Sequence, residues 1–271
     1  MIIRQKYILW FLFAILYGTS TSQSIDRTKA PKPAIAPEIN IGDPLRFELA
    51  NGLKVFLVED HHLPTISVSL TIHKDPHMET GHVGLASMMG DMMSAGTETR
   101  TKSDIDHAID FVGASFYTYS SGFYFSTLSK HIETITEIAS DVLLNPIFPQ
   151  AELDKKKKRA YSSLKSLKTN PNAISARVEK VLKYGHNHPY GQIQKKEDVE
   201  TVSIDLCKEY YQEYFRPNIS YLVIVGDIKM EKAKALCEKY FGSWESKEIQ
   251  SHEHEFPTKP NGIQVSFVHK P

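Results

Sequence analysis

The chain has 271 residues, 41% of them hydrophobic and 24% charged, a size and balance that suit one substantial core or two small ones and exclude a disordered or fibrous polymer. Its 32 basic residues cancel its 32 acidic ones, so net charge gives no reason to expect nucleic acid as a partner.

Residues 1–22 read as a secretory signal: Arg4 and Lys6 form a positive start, 7–17 an apolar run, and 18–22 a small-residue stretch suited to cleavage near Gln23. The apolar run falls short of the ~20 residues that a membrane-crossing helix needs. No cysteine directly follows it, so no lipid anchor is expected, and the protein is expected to be exported, to a periplasm or to the outside. Residues 23–44 contain Pro31, Pro33, Pro37 and Pro44 and read as an extended linker.

A folded domain is expected over 45–245. FELANGLKVFLVED places two apolar stretches around Asn51-Gly52, a strong hairpin signal. A third strand is expected over 65–73, where Ile66, Val68, Leu70 and Ile72 alternate with polar neighbours. A helix follows over 84–94 and another from Ser103, with Asp106 completing a capping-box-like start. Residues 114–120 and 123–128 read as a strand pair turning at Ser121-Gly122. Helical spacing then covers 132–144, until Asn145-Pro146 stops it. Further helices are expected over 151–167 and 173–184, and from the cap Ser203 to just before Arg216-Pro217. A buried strand over 221–225 and a helix over 230–240 close the series. Strands and helices are grouped more than alternated, which predicts an α+β fold over a doubly wound sheet. Residues 246–260 read as a polar linker, and 261–271 as a strand just beginning, either the start of a second, truncated unit or a strand pairing back onto the first sheet.

Cys207 and Cys237 lie on the apolar faces of expected helices and read as buried small hydrophobes, although a disulfide is allowed in an oxidising compartment. His77, His82 and Asp91 offer a conceivable substitute metal site, but loop histidines are ordinarily solvated. The HEHE run at 252–255 reads as a solvated linker. Lys155 to Arg159 spread around more than one helix face and read as a solvated surface.

Five stretches in order resemble the pitrilysin/insulinase family of zinc metallopeptidases: FELANGLKVFLVED, GLASMMGDMMSAGT (84–97), LLNPIFPQAELDKKKK (143–158), HPYG (188–191) and YFRPNISYLVIVGDI (214–228). The resemblance implies a largely antiparallel sheet packed against several helices. It also implies an inverted H-x-x-E-H motif, whose histidines at i and i+4 share one helix face and bind zinc while the glutamate serves as base. Aligned on GLA and GT, the first histidine position is Ser87, the glutamate Gly90 and the second histidine Asp91. Counting back from Asn170-Pro171 puts the distal glutamate ligand at Ser163, or at a neighbour if the helix is offset by a residue.

These degenerate positions imply that no zinc or other cofactor is held and that no catalytic residue can be named. The family expectation is then a silent subunit that pairs with an active zinc-bearing subunit and helps to enclose an unfolded peptide. An active metallopeptidase with an unorthodox site, and a stand-alone peptide-binding or scaffold protein, are the alternatives. The four methionines of the same segment, Met88, Met89, Met92 and Met93, read as core packing. Gly90 inside the helix costs ~1 kcal/mol against Ala, which suggests close backbone packing or a lost constraint.

Overall fold

The computed structural model describes residues 42–254, 257 and 262–268. The expected signal and nearly all of the proline-rich linker lie outside these residues.

Strands β1 (Leu45–Glu48) and β2 (Lys54–Glu59) form the hairpin expected at Asn51-Gly52. Gly52 takes φ +87°, which only glycine adopts readily, and the Asn51 amide donates to the carbonyls of Phe241 at 2.7 Å and Trp244 at 3.0 Å. The turn is thereby tied to the far end of the domain. Strands β3 (Thr65–Ile72), β4 (Ser115–Tyr119), β5 (Gly122–Leu128) and β6 (Ser220–Gly226) complete a sheet of order β1-β2-β6-β3-β5-β4. Only the β2–β6 pair is parallel; the other four neighbouring pairs are antiparallel.

Eight α-helices accompany the sheet among the described residues: α1 (Leu85–Met92), α2 (Lys102–Val112), α3 (Ile132–Leu144), α4 (Gln150–Leu167), α5 (Pro171–Tyr184), α6 (Lys196–Thr201), α7 (Ile204–Tyr214) and α8 (Met230–Phe241). Alternate strand residues, among them Val55, Leu57, Val68, Leu70, Phe123, Phe125, Leu222 and Ile224, point into one core with α1, α3 and α8. At ~25 cal/mol per Å² of apolar surface, burial of this face is the main stabilising term. The opposite face keeps Val58, Tyr117, Val223 and Val225 exposed.

Three expectations need correction. The cap of α2 is Thr101, whose hydroxyl accepts from the Asp104 amide while Asp104 accepts from the Thr101 amide, so the capping box sits two residues before the expected Ser103 and Asp106. Helix α6 was not anticipated; its single turn of KEDVET has no apolar period long enough to register. Residues 263–268 form no strand and pair with neither sheet edge. Ile263, Val265 and Phe267 stay exposed, because an alternating pattern makes a strand only where a partner supplies the ladder.

Candidate functional site

The segment aligned with the family's zinc helix does form a helix, and its start is unusual. Gly84 caps it at φ +99°, and Glu79 supplies what the first turn lacks, accepting from the amides of Gly84 at 2.6 Å and Ala86 at 2.9 Å. Leu85, Met88, Met89 and Met92 are buried against β4, α4 and α7, the methionine-packed core helix that the sequence suggests.

Ser87, one turn further on, and Asp91 lie on the face that remains, and both are exposed. Helix α4 brings Ser163 to the same place. Ser87, Asp91 and Ser163 line one cleft of about 510 Å³, together with Lys156 and Arg159 of α4 and Lys180 of α5. The cleft therefore joins the three side-chain-bearing positions that lie 76 residues apart at the extremes of the sequence alignment (163 − 87).

Gly90, the fourth position, is buried on another side of α1. A Cβ placed there would lie 2.3 Å from the carbonyl carbon of Tyr119 and from the amide nitrogen of Ser120. The β4–β5 turn presses its main chain onto the helix, and a glutamate would need that turn to move. Of the two explanations for a glycine at this point, close backbone packing is the one present.

The donor chemistry of the cleft does not fit a zinc ion. Serine hydroxyls are weak neutral ligands, and the Asp91 carboxylate is held by the Lys156 ammonium at 3.0 Å. Two further cations, Arg159 and Lys180, face the same space and would repel a metal. Among the described residues no group of three or more His, Cys, Asp and Glu side chains is placed to hold a metal.

The substitute triad is not assembled. His77 stacks on Tyr214 with ring centroids 4.8 Å apart, the His82 ring bonds the Thr201 hydroxyl at 3.0 Å, and Asp91 pairs with Lys156.

His77 belongs instead to a cluster that composition did not single out. Lys74 Nζ lies 4.3 Å from the ring centre of Tyr210 and 4.6 Å from that of Tyr214, and donates to the Tyr210 hydroxyl. Burial pushes the Lys74 ammonium down to about 8, with Glu79 opposing, and burial also lowers His77, beside Lys74. The signal was present as Tyr210 and Tyr214 at i and i+4, but it required knowing what covers that face.

The HEHE segment is not free of the domain. His252 Nε2 lies 3.1 Å from the Tyr214 hydroxyl, and His254 meets the buried His188 ring edge-on at 4.7 Å. His188 Nδ1 accepts from the Tyr190 amide and so shapes the HPYG turn, a structural role. Cys207 and Cys237 are both buried and free, with burial raising their thiols to about 11 and about 12.

The comparisons with known proteins bear on this architecture. The family model described as "Insulinase (Peptidase family M16)" matches residues 54–189, half of the chain, and that described as "Peptidase M16 inactive domain" matches residues 201–271. The chain belongs to the insulinase, or M16, family.

Its M16 relatives include an "Uncharacterized zinc protease YmxG" of Bacillus subtilis, 23% identical over 74% of this chain and 51% of that protein. The beta subunit of the bovine (Bos taurus) mitochondrial-processing peptidase is 22% identical over 94% of this chain and 53% of that protein. The chain thus spans about half the length of these curated relatives. Among solved structures, a peptidase M16 inactive domain from Pseudomonas fluorescens aligns with a TM-score of 0.72 at 20% identity, covering 80% of this chain and 54% of that one. The periplasmic protease PqqL of Escherichia coli aligns with a TM-score of 0.66 at 18% identity over 80% of this chain and 25% of that one. At these identities the structures establish the M16 fold and nothing finer. No described helix is long and apolar enough to cross a membrane.

Proposed function

We propose that this chain is a non-catalytic M16 homologue that pairs with a zinc-bearing M16 subunit and helps to enclose an unfolded peptide. The observation that carries the reading is the cleft between α1 and α4. Where the family chemistry calls for two imidazoles and a carboxylate, this cleft offers Ser87, Asp91 and Ser163, with Asp91 bound to Lys156. The position of the general base is Gly90, backed by the main chain of the β4–β5 turn.

Without those groups, no water can be metal-activated at this point by the family mechanism. The shape of the unit is nonetheless kept, and a kept shape with altered chemistry suits a partner that encloses and positions. The positive start and apolar run of residues 1–22 support export, and so does the likeness to a periplasmic protease. Pairing is supported by the match, over nearly the whole chain, to one named subunit of a processing peptidase.

The test is affinity isolation of the tagged full chain from the cells that produce it, with each co-purified chain identified by mass spectrometry. An M16 chain bearing an intact H-x-x-E-H, recovered in a fixed ratio, is expected. Recovery without any such chain would point to the stand-alone scaffold instead.

A further inference from the structure

The charge of the α1–α4 cleft does not end at its rim. A second cleft of about 480 Å³ shares Gln194 with it and is lined by α4, α5 and α6. Helix α4 contributes residues 156, 159, 160 and 163 to the first cleft and 161, 164, 165 and 168, just past its end, to the second. Spacings of three and four residues make each set one face, and the offset of five residues turns the second face about 140° round the helix from the first.

The charges are strongly unequal. Asp91 and Glu197 are the only acids lining either cleft. Lys156 is engaged by Asp91 at 3.0 Å, Lys196 by Glu200 at 2.9 Å, and Arg177 donates to the Gln194 carbonyl at 3.2 Å. Arg159, Lys165, Lys168, Lys180 and Lys195 make no ion pair among the described residues. In a chain whose formal net charge is zero, this is a local concentration of unpaired cations in a concave surface.

We propose that the first cleft binds the carboxylates of an acidic peptide segment, with the cations of the second cleft adding to the positive potential around it. Arg159 can take a carboxylate through two parallel N–H donors, and Lys180 acts as a point charge from α5 in the same cleft. The proposal rests on the peptide-enclosing role above and adds the class of peptide. It replaces a metal cation at the first cleft by an anion, which is what Arg159 and Lys180 favour. A single-stranded nucleic acid would need successive rings to stack its bases, and Tyr161 is the one aromatic side chain in the lining.

Fluorescence anisotropy on the full chain tests it, with a capped, labelled five-residue peptide of glutamates alternating with alanine. Matched glutamine and lysine peptides serve as controls, and inorganic phosphate and a short single-stranded DNA as competitors. The glutamate peptide is expected to bind at least tenfold more tightly than either control, and to weaken as salt rises. Arg159→Glu/Lys180→Glu should lower that affinity at least tenfold with an unchanged thermal melt. Should charge reversal disturb folding, Arg159→Gln/Lys180→Gln is expected to give the same direction of change. Equal binding of the glutamine peptide, or no loss in the folded variant, would overturn the proposal. So would displacement by an equimolar amount of phosphate, or tighter binding of the DNA. None of these readouts needs a partner subunit, so their failure would leave the pairing reading standing. Zinc-dependent cleavage by the lone chain would remove that reading whatever the peptide result.

Discussion

A methyl group at Gly90 separates two opposing effects. In an unobstructed helix Gly→Ala stabilises by ~1 kcal/mol. Here the new Cβ would meet fixed main-chain atoms of Tyr119 and Ser120 at 2.3 Å, and neither can rotate away. Overpacking of this kind costs about 1–3 kcal/mol net. Gly90→Ala should therefore lower the urea midpoint; a raised midpoint would mean that the turn yields and the position is open.

Asp141, only 8% exposed, holds together the turn after α1 and the end of α3. Burial alone would raise its carboxyl, but hydrogen bonds from Thr97, Asn145, Thr99 and Arg100 together outweigh burial and hold it below the usual range. A folded-state value below the unfolded one means that the unfolded chain binds the proton more readily. The stabilisation is then complete above the unfolded value of ~3.9 and is lost as pH falls through the lower folded value. Asp141→Asn is expected to cost about 2–4 kcal/mol at pH 7. The difference from the parent protein, followed by denaturant unfolding, should shrink below about pH 4. A pH-independent difference would mean that the charge is not what the network uses.

At the scale of elements, α1 and α4 still present their faces to one another as a metal site requires. Ser87→His/Asp91→His/Ser163→Glu places three ligands around one cleft without touching the β4–β5 turn. With Arg159→Gln and Lys180→Gln added to remove the repelling cations, that variant should take up zinc, measured by competition with a chromophoric chelator, while the further change Gly90→Glu should destabilise the domain. No zinc affinity in this folded variant would contradict the register that equates Ser163 with a ligand position.

Most elements were legible from period and punctuation. Asn145-Pro146 ends α3, Asn170-Pro171 opens α5 with a side-chain cap, and Ser203 caps α7, because each acts through its nearest neighbours in the chain. The insertion of β6 between β2 and β3 was not legible, since strand order depends on contacts more than 150 residues apart. The site was half legible. Four positions could be named from the family spacing, and Ser87, Asp91 and Ser163 do share a cleft. The cations facing them from α4 and α5 read locally as solvated helix faces, because their meaning depends on which helix lies opposite. For the same reason the KKKKR run dissolves into separate roles: Lys155 pairs with Glu152, Lys156 with Asp91, and Lys157 donates to the Glu200 carbonyl.

For the whole molecule, the M16 fold is kept, and the proposed function has the chemistry at its usual centre differ. The fold is that of M16 units, and the chain covers about half of its relatives' length. Enclosure of a peptide by such a unit calls for a second body, which fits a role in an assembly better than a solitary one. The proposed role requires that this chain hold no catalytic zinc. Elemental analysis of the purified full chain, paired with a peptidase assay with and without chelator, tests it most directly. Well under one zinc per chain and no chelator-sensitive cleavage are expected; one tightly held zinc per chain together with chelator-sensitive cleavage would contradict the account.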